Sequence, residues 1–314
     1  MKKKAIIISI KSYKLSIREK NLLATIRPWG LILFKRNIKS LNQIKKLIFN
    51  IRKITKDSKF PIMIDEEGKT VTRLIKIIKH EVSQKLFGDL YKSNPKVGEK
   101  VYINYINNLC KYLKNIGINI NTVPVLDILR KNTSKIIGVR SFSNEPKIVK
   151  KLGTICINQY HLNKVATVIK HVPGHGCALV DSHLKLPRVK LSRKNLYKND
   201  FVPFNSSLSK FAMTAHVLYQ NIDRSNVATF SKKIISNIIR KKMKFKGILI
   251  SDDISMKALK FDLISNAKKS LSAGCNIVLY CAGNYKDSLK LLKEVPFIDH
   301  FTEKKTSEFY KFLR

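Results

Sequence analysis

The amino-acid sequence predicts an α/β protein built as a single (β/α)8 TIM barrel. Eight short apolar runs recur along the 314 residues, each followed by a stretch with apolar residues at helical spacing. Runs such as Ile248, Leu249, Ile250 are apolar at every position. That suits parallel strands covered on both faces and not half-solvated antiparallel ones. A chain of this length with 44% apolar residues also buries a core large enough for one such barrel.

The strands are expected at residues 5–10, 30–34, 61–64, 118–123, 166–169, 211–214, 247–250 and 276–280. Helical periodicity fills the intervals, as in Ile44, Leu47, Ile48, Ile51 and in Val101, Tyr102, Ile106, Leu109, Leu113. No linker or low-complexity stretch breaks the series, so residues 1–314 read as one domain. The two longest connections, 124–146 and 171–204, lack regular periodicity and follow strands. In such a barrel the loops at the C-terminal strand ends build the active site.

The formal charge of +41 first suggests a polyanionic partner. Its distribution argues otherwise. Only twelve of the 62 basic residues are arginine, and the lysines scatter over every expected helix face and loop. Lysine is also accompanied by an excess of isoleucine and asparagine, the trio that an AT-rich coding bias places at permissive surface positions. The expectation is therefore no nucleic-acid partner. Five cysteines without a CxxC pair read as reduced thiols in a cytoplasm. Six apolar residues before Lys11 are too few for a signal sequence or a membrane span, so no membrane insertion is expected.

Chemistry-bearing residues sit where the apolar runs stop: Asp65, the pair Lys170 and His171, His216, and the pair Asp252 and Asp253. Four such junctions on one rim would converge on one pocket. Alternation along a strand turns Asp252 and Asp253 to opposite sides, so one would be a reactive carboxylate and the other structural, as a cap for a helix beginning near Ser255. Strand geometry does not say which. Downstream, Lys170-His171-Val172-Pro173-Gly174-His175-Gly176 and Asp181-Ser182-His183 hold three of the seven histidines. His171 and His175 have the spacing of a helical zinc pair, but Pro173, Gly174 and Gly176 oppose that helix, and no metal is expected. Asp181 and His183 suit a dyad whose carboxylate orients an imidazole that moves a proton.

The Lys170-to-His183 segment, together with Ser251-Asp252-Asp253-Ile254-Ser255-Met256, resembles glycoside hydrolase family 3, in particular its short bacterial NagZ-type β-N-acetylglucosaminidases. The resemblance runs through Gly30 to Asn37, Asp65-x-Glu67-Gly68 with Arg73, Pro124 to Asp127, Gly138-x-Arg140-Ser141-Phe142 and Met213-Thr214-Ala215-His216. It implies Asp252 as nucleophile and His183 as general acid/base oriented by Asp181. It further implies that Asp65, Arg73, Arg140, Lys170 and His171 hold the sugar. The usual Asp-Gln-Glu-Gly-Gly-Arg run appears here as Asp65-Glu66-Glu67-Gly68-Lys69-Thr70. Losing the second glycine bears on the turn after Asp65 and hence on where Arg73 sits.

On this resemblance the expected activity is retaining hydrolysis by a β-N-acetylhexosaminidase through a covalent glycosyl-enzyme. The substrate would be a muropeptide or related amino sugar: a terminal N-acetylglucosamine β-1,4-linked to (anhydro)N-acetylmuramic acid, released during peptidoglycan recycling in the cytoplasm. That role would tie the protein to cell-wall biogenesis, cell shape and cell division. No cofactor is implied, and a monomer is expected. A histidine near pKa 6.5 serves both halves of the acid/base cycle at neutral pH. The alternatives are a phosphorylase using the same dyad, a β-glucosidase or β-xylosidase of the wider family, and a basic binding protein without catalysis.

Overall fold

A computed structural model describes residues 2–79, 81–130, 137–178 and 185–314. Eight parallel strands close into a barrel in the order β1-β10-β9-β7-β5-β4-β3-β2. They are β1 (Lys4–Ile8), β2 (Pro28–Leu33), β3 (Ile62–Ile64), β4 (Ile120–Asn121), β5 (Ala166–Val172), β7 (Phe211–Thr214), β9 (Ile248–Asp253) and β10 (Ile277–Tyr280). Each overlaps an apolar run read from the sequence, so the (β/α)8 barrel expectation holds. The sequence did not signal the remaining two strands, β6 (Arg188–Val189) and β8 (Leu218–Tyr219), which pair with each other outside the barrel.

The helical cover is α1 (Ile17–Thr25), α2 (Leu41–Thr55), α3 (Gln84–Ser93), α4 (Pro95–Ile116), α5 (Pro146–Leu162), α6 (Arg193–Lys198), α7 (Leu263–Ala273), α8 (Tyr285–Glu294) and α9 (His300–Phe312), with a π-type helix at Ile234–Lys242. The helix starts are written locally. Ser16 caps α1 in a reciprocal box with Glu19, Asn94 caps α4 ahead of Pro95, and Asp262 caps α7. The α2 stripe Ile44, Leu47, Ile48, Ile51 is buried, as its spacing required. None of the described helices is long and apolar enough to cross a membrane.

One end of the barrel is sealed by α9. Trp29, at the start of β2, is fully buried and packs edge-on to Phe211 at the start of β7, with ring centroids 5.5 Å apart. Its indole N–H donates to Thr306 of α9 at 2.8 Å, and Phe309 of α9 packs against both rings. Nearby, Lys3 bonds Asp57 at 2.8 Å and also Tyr310, tying the strand β1 end to α2 and α9. The opposite end, where the strands finish, stays open.

The α3 helix is seated by a close approach at Gly88. A Cβ there would lie 1.7 Å from the carbonyl oxygen of Phe142, in the segment that carries Arg140. Gly88→Ala is expected to cost about 1–3 kcal/mol through overpacking, read as a lowered urea midpoint. An unchanged midpoint would contradict this packing.

Candidate active site

The open end of the barrel holds a cavity of about 370 Å³ lined by residues from the ends of most of its strands. That volume is at the small end of ligand pockets and suits one sugar ring. Phe34, Met213, Met256 and Leu279 supply apolar wall. Asp65, Glu67, Arg73, Arg140, Lys170, His171, Asp252 and Asp253 supply charged or ionisable groups.

The polar wall is organised around Lys170, at the end of β5. Its ammonium contacts Glu67 Oε1 at 2.5 Å, Thr122 Oγ1 at 2.8 Å and Asp65 Oδ1 at 3.5 Å. Thr122 in turn donates to Asp65. Arg140 grips Glu67 with two parallel bonds, Nε to Oε2 at 2.7 Å and Nη2 to Oε1 at 2.9 Å, the fork geometry that strengthens an ion pair. Burial pushes the Asp65 carboxyl up, but Lys170, Arg73 and Thr122 more than offset it and hold Asp65 well below the usual carboxylate range. Glu67 is held low in the same way, by Arg140 and Lys170 against its burial.

Arg73 reaches Asp65 Oδ2 at 3.0 Å and lies over the Phe34 ring, 5.1 Å from its centroid. The loop between them settles the question raised by the missing glycine. Gly68 has φ +134°, and a Cβ there would meet the Val82 carbonyl at 2.3 Å, so glycine is required at that position. Lys69 follows with an ordinary negative φ and donates its amide to Val82 O at 2.7 Å. A second glycine is not needed. The turn is closed by the amides of Glu67 and Gly68 on Val71 O.

His171 is fixed from behind. Its Nδ1 bonds Asp127 Oδ2 at 2.7 Å, and the amides of His171 and His175 donate to Asp127 Oδ1 at 3.2 and 2.6 Å. Asp127 is fully buried; burial raises its carboxyl, yet His171 and the His175 amide hold it below the usual range. An ionised Asp127 keeps the proton on Nδ1 and leaves Nε2 as the remaining ring nitrogen. His171 and His175 lie on β5 and the loop beyond it, not on a helix. Among the described residues no group of three or more His, Cys, Asp or Glu could hold a metal ion.

Both aspartates at the end of β9 contribute to the lining of the cavity, and β9 and β10 shift register beside them, between Ile277 and Leu279. Their surroundings nevertheless differ. Asp253 accepts from the Ser255 amide at 3.0 Å, from Ser255 Oγ at 2.8 Å and from the Cys281 amide at 3.2 Å. It therefore caps a turn, not a helix: the next helix, α7, begins at Leu263. Asp252 accepts from the Asp253 amide at 2.8 Å. His216 sits behind this pair, fully buried, and donates from Nε2 to the Asp253 carbonyl at 3.0 Å.

Of the residues singled out in the sequence, the structure brings Asp65, Arg73, Arg140, Lys170, His171 and Asp252 to one cavity. Asp181 and His183 lie outside the described residues. Sequence reasoning gave no separate weight to Glu67, Thr122 or Asp127, whose importance is set by their partners. An acid directly beyond a strand, with an arginine-bearing loop later in the chain, is the one signal Glu67 offered.

Buried histidines make this end of the barrel acid-sensitive. Burial, with the neighbouring His171, pushes His175 down to about 4, and burial lowers His216 as well. The unfolded chain takes up these protons near pH 6.5, before the folded one does. Stability is thus expected to fall as pH drops below 6.5, with a His175 share of about 3 kcal/mol lost by about pH 4. The depressed carboxyls of Asp65, Glu67 and Asp127 add a further loss at still lower pH, as they protonate. Urea midpoints measured between about pH 7 and pH 4 should decline steadily; a flat profile would contradict neutral, buried imidazoles.

Comparison with known proteins agrees with this fold. The model of the glycosyl hydrolase family 3 N-terminal domain matches residues 3–303. The chain is 31% identical over 303 residues to a β-hexosaminidase of Haemophilus influenzae, covering 93% of this chain and 85% of that one. It is 32% identical over 302 residues to a β-hexosaminidase of Mannheimia succiniciproducens, covering 93% and 86%. The crystal structure of NagZ from Neisseria gonorrhoeae in complex with N-trifluoroacetyl-D-glucosamine superposes with a TM-score of 0.88 at 27% identity, covering all of this chain and 91% of that one. A barrel with this rim, matched along nearly its whole length, belongs to glycosyl hydrolase family 3.

Proposed function

We propose that the protein is a retaining β-N-acetylhexosaminidase that removes terminal, non-reducing N-acetylglucosamine from peptidoglycan fragments through a covalent glycosyl-enzyme. The observation that carries this reading is the Asp252 carboxylate at the end of β9, facing the same small cavity as Asp65, Arg73, Arg140, Lys170 and His171. The names of its relatives support the choice of sugar. The β-hexosaminidases share nearly the whole chain, and the gonococcal NagZ was crystallised with a fluorinated N-acetylglucosamine analogue.

In the proposed mechanism Asp252 attacks the anomeric carbon while His183, as imidazolium, gives its proton to the leaving oxygen. The bond to the aglycone breaks and a bond to the Asp252 oxygen forms. Water then attacks the same carbon, His183 takes its proton, and Asp252 leaves with the configuration retained overall. Asp181 orients the imidazole. The carboxylate and cations of the polar wall hold the sugar hydroxyls and acetamido group, with Asp65, Arg73, Arg140, Lys170 and His171 as the binding set. Asp253, occupied by its own turn, is structural. Residues 1–314 act as one domain and as a monomer, in the cytoplasm, on fragments from cell-wall turnover.

The test is hydrolysis of an aryl β-N-acetylglucosaminide, with and without phosphate, and trapping with a 2- or 5-fluoro glycosyl substrate. Turnover independent of phosphate, and one added sugar mass on the peptide containing Asp252, are expected. Asp252→Asn should lower kcat by at least about 10³-fold. Label on another peptide, or release of a sugar 1-phosphate only when phosphate is present, would overturn the reading.

A further inference from the structure

Among the described residues, Arg73 is the one cation of the polar wall that comes from a loop and not from a strand end or a buried turn, so something must hold it in place. Its guanidinium is fixed by Asp65 and by the face of Phe34. Its backbone is fixed by a different group. Glu66 is fully buried, one residue after Asp65, and its carboxylate is turned away from the cavity into the 66–74 loop. Oε2 accepts the amides of Arg73 at 2.8 Å and Leu74 at 2.9 Å, and Oε1 accepts the hydroxyl of Thr72 at 2.6 Å. Three donors from three consecutive residues end on one side chain.

Glu66 is itself anchored to the barrel. Its amide donates to Asn121 Oδ1 and its carbonyl accepts from Asn121 Nδ2, both at 2.9 Å. Asn121 belongs to β4, is fully buried and bonds Tyr160 of α5 at 2.8 Å. The path from the barrel wall to Arg73 is thus a set of short bonds: β4 holds Glu66, and Glu66 holds the peptide that carries Arg73. From these contacts we infer that Glu66 is a positioning residue, which sets the reach of Arg73 into the sugar cavity without touching the sugar. The inference rests on the proposed role of Arg73 in binding the sugar.

A carboxylate suits this task because it accepts on both oxygens and carries no hydrogen to place. Glutamine can approximate it, with its carbonyl oxygen on the two amides and its NH₂ turned to the Thr72 oxygen. Alanine leaves three donors in a half-buried loop without that acceptor. Because Arg73 would grip the sugar in ground and transition states alike, its displacement should appear in KM more than in kcat.

The experiment compares Glu66→Ala, Glu66→Gln and Thr72→Ala, each also in an Arg73→Ala background, using an aryl β-N-acetylglucosaminide for kinetics and N-acetylglucosamine for calorimetric binding. Glu66→Ala is expected to raise KM at least tenfold with kcat within threefold, Glu66→Gln to recover most of the loss, and Thr72→Ala to raise KM about threefold. In the Arg73→Ala background these increments should vanish, since a group acting only through Arg73 has nothing left to position. Thr72→Ala keeps the test open where Glu66→Ala does not fold. Folded variants with unchanged KM, or increments that persist without Arg73, would overturn the inference while leaving the hydrolase reading intact. A wild-type protein that neither hydrolyses nor binds the sugar would overturn both.

Discussion

The Lys170 ammonium is the point on which this end of the barrel depends. It is almost wholly buried, and a buried cation needs carboxylates and further hydrogen bonds around it. Those it receives come from neighbouring strands: Asp65 and Glu67 from beyond β3, and Thr122 from beyond β4. Glu67 is shared with Arg140, and Asp65 with Arg73. No member is affordable alone, so the ends of β3, β4 and β5 and the turn at Gly138–Arg140 must arrive in register together. The site and the closure of the barrel at this end are one physical problem.

The arrangement also explains why the cavity has two characters. Around Lys170, Asp65 and Glu67 are met by Arg73 and Arg140, and Asp252 lines the same space. Dipoles and charges fixed before a substrate arrives need no reorganisation when charge develops in the reaction. Phe34, Met213, Met256 and Leu279 add apolar lining to the same cavity. A pyranose carries both kinds of surface, hydroxyl-bearing edges and an apolar face.

The barrel was legible because its strands are buried on both faces and so read as continuous apolar runs. β6 and β8 were not, because they pair outside the barrel and lie in none of the eight apolar runs. Asp65, Lys170, His171 and Asp252 were legible for a related reason: an ionisable group that ends an apolar run has few reasons to be there. Thr122 announces nothing in sequence, and Asp127 and Glu66 appear there only inside family motifs, with no role attached. Asp127 matters because three donors from β5 and the following loop converge on it, and Thr122 because it joins Asp65 to Lys170. Both Asp252 and Asp253 contribute to the cavity lining. Alternation left the choice between the two open; the turn that engages the Asp253 carboxylate is what distinguishes them in the structure.

The excess of lysine can be weighed against what the arginines do. Arg140 forks onto Glu67, Arg36 joins Ser9, the Ile10 carbonyl and the Cys281 carbonyl, and Arg240 joins the carbonyls of Phe245 and Gly247 to Asn276. Each bridges elements that are distant in sequence, with a planar fork that a lysine does not possess. These three arginines each meet two or more acceptors in fixed directions, while most lysines lie at exposed or half-exposed positions, Lys3 and Lys170 excepted. Lys170 departs from that division because its acceptors surround a point instead of lying in a plane. Oxygens from Asp65, Glu67 and Thr122 close on one ammonium, which a compact group with three rotatable donors satisfies better than a flat guanidinium. The chemistry of the site, and not the composition of the chain, selects the residue there.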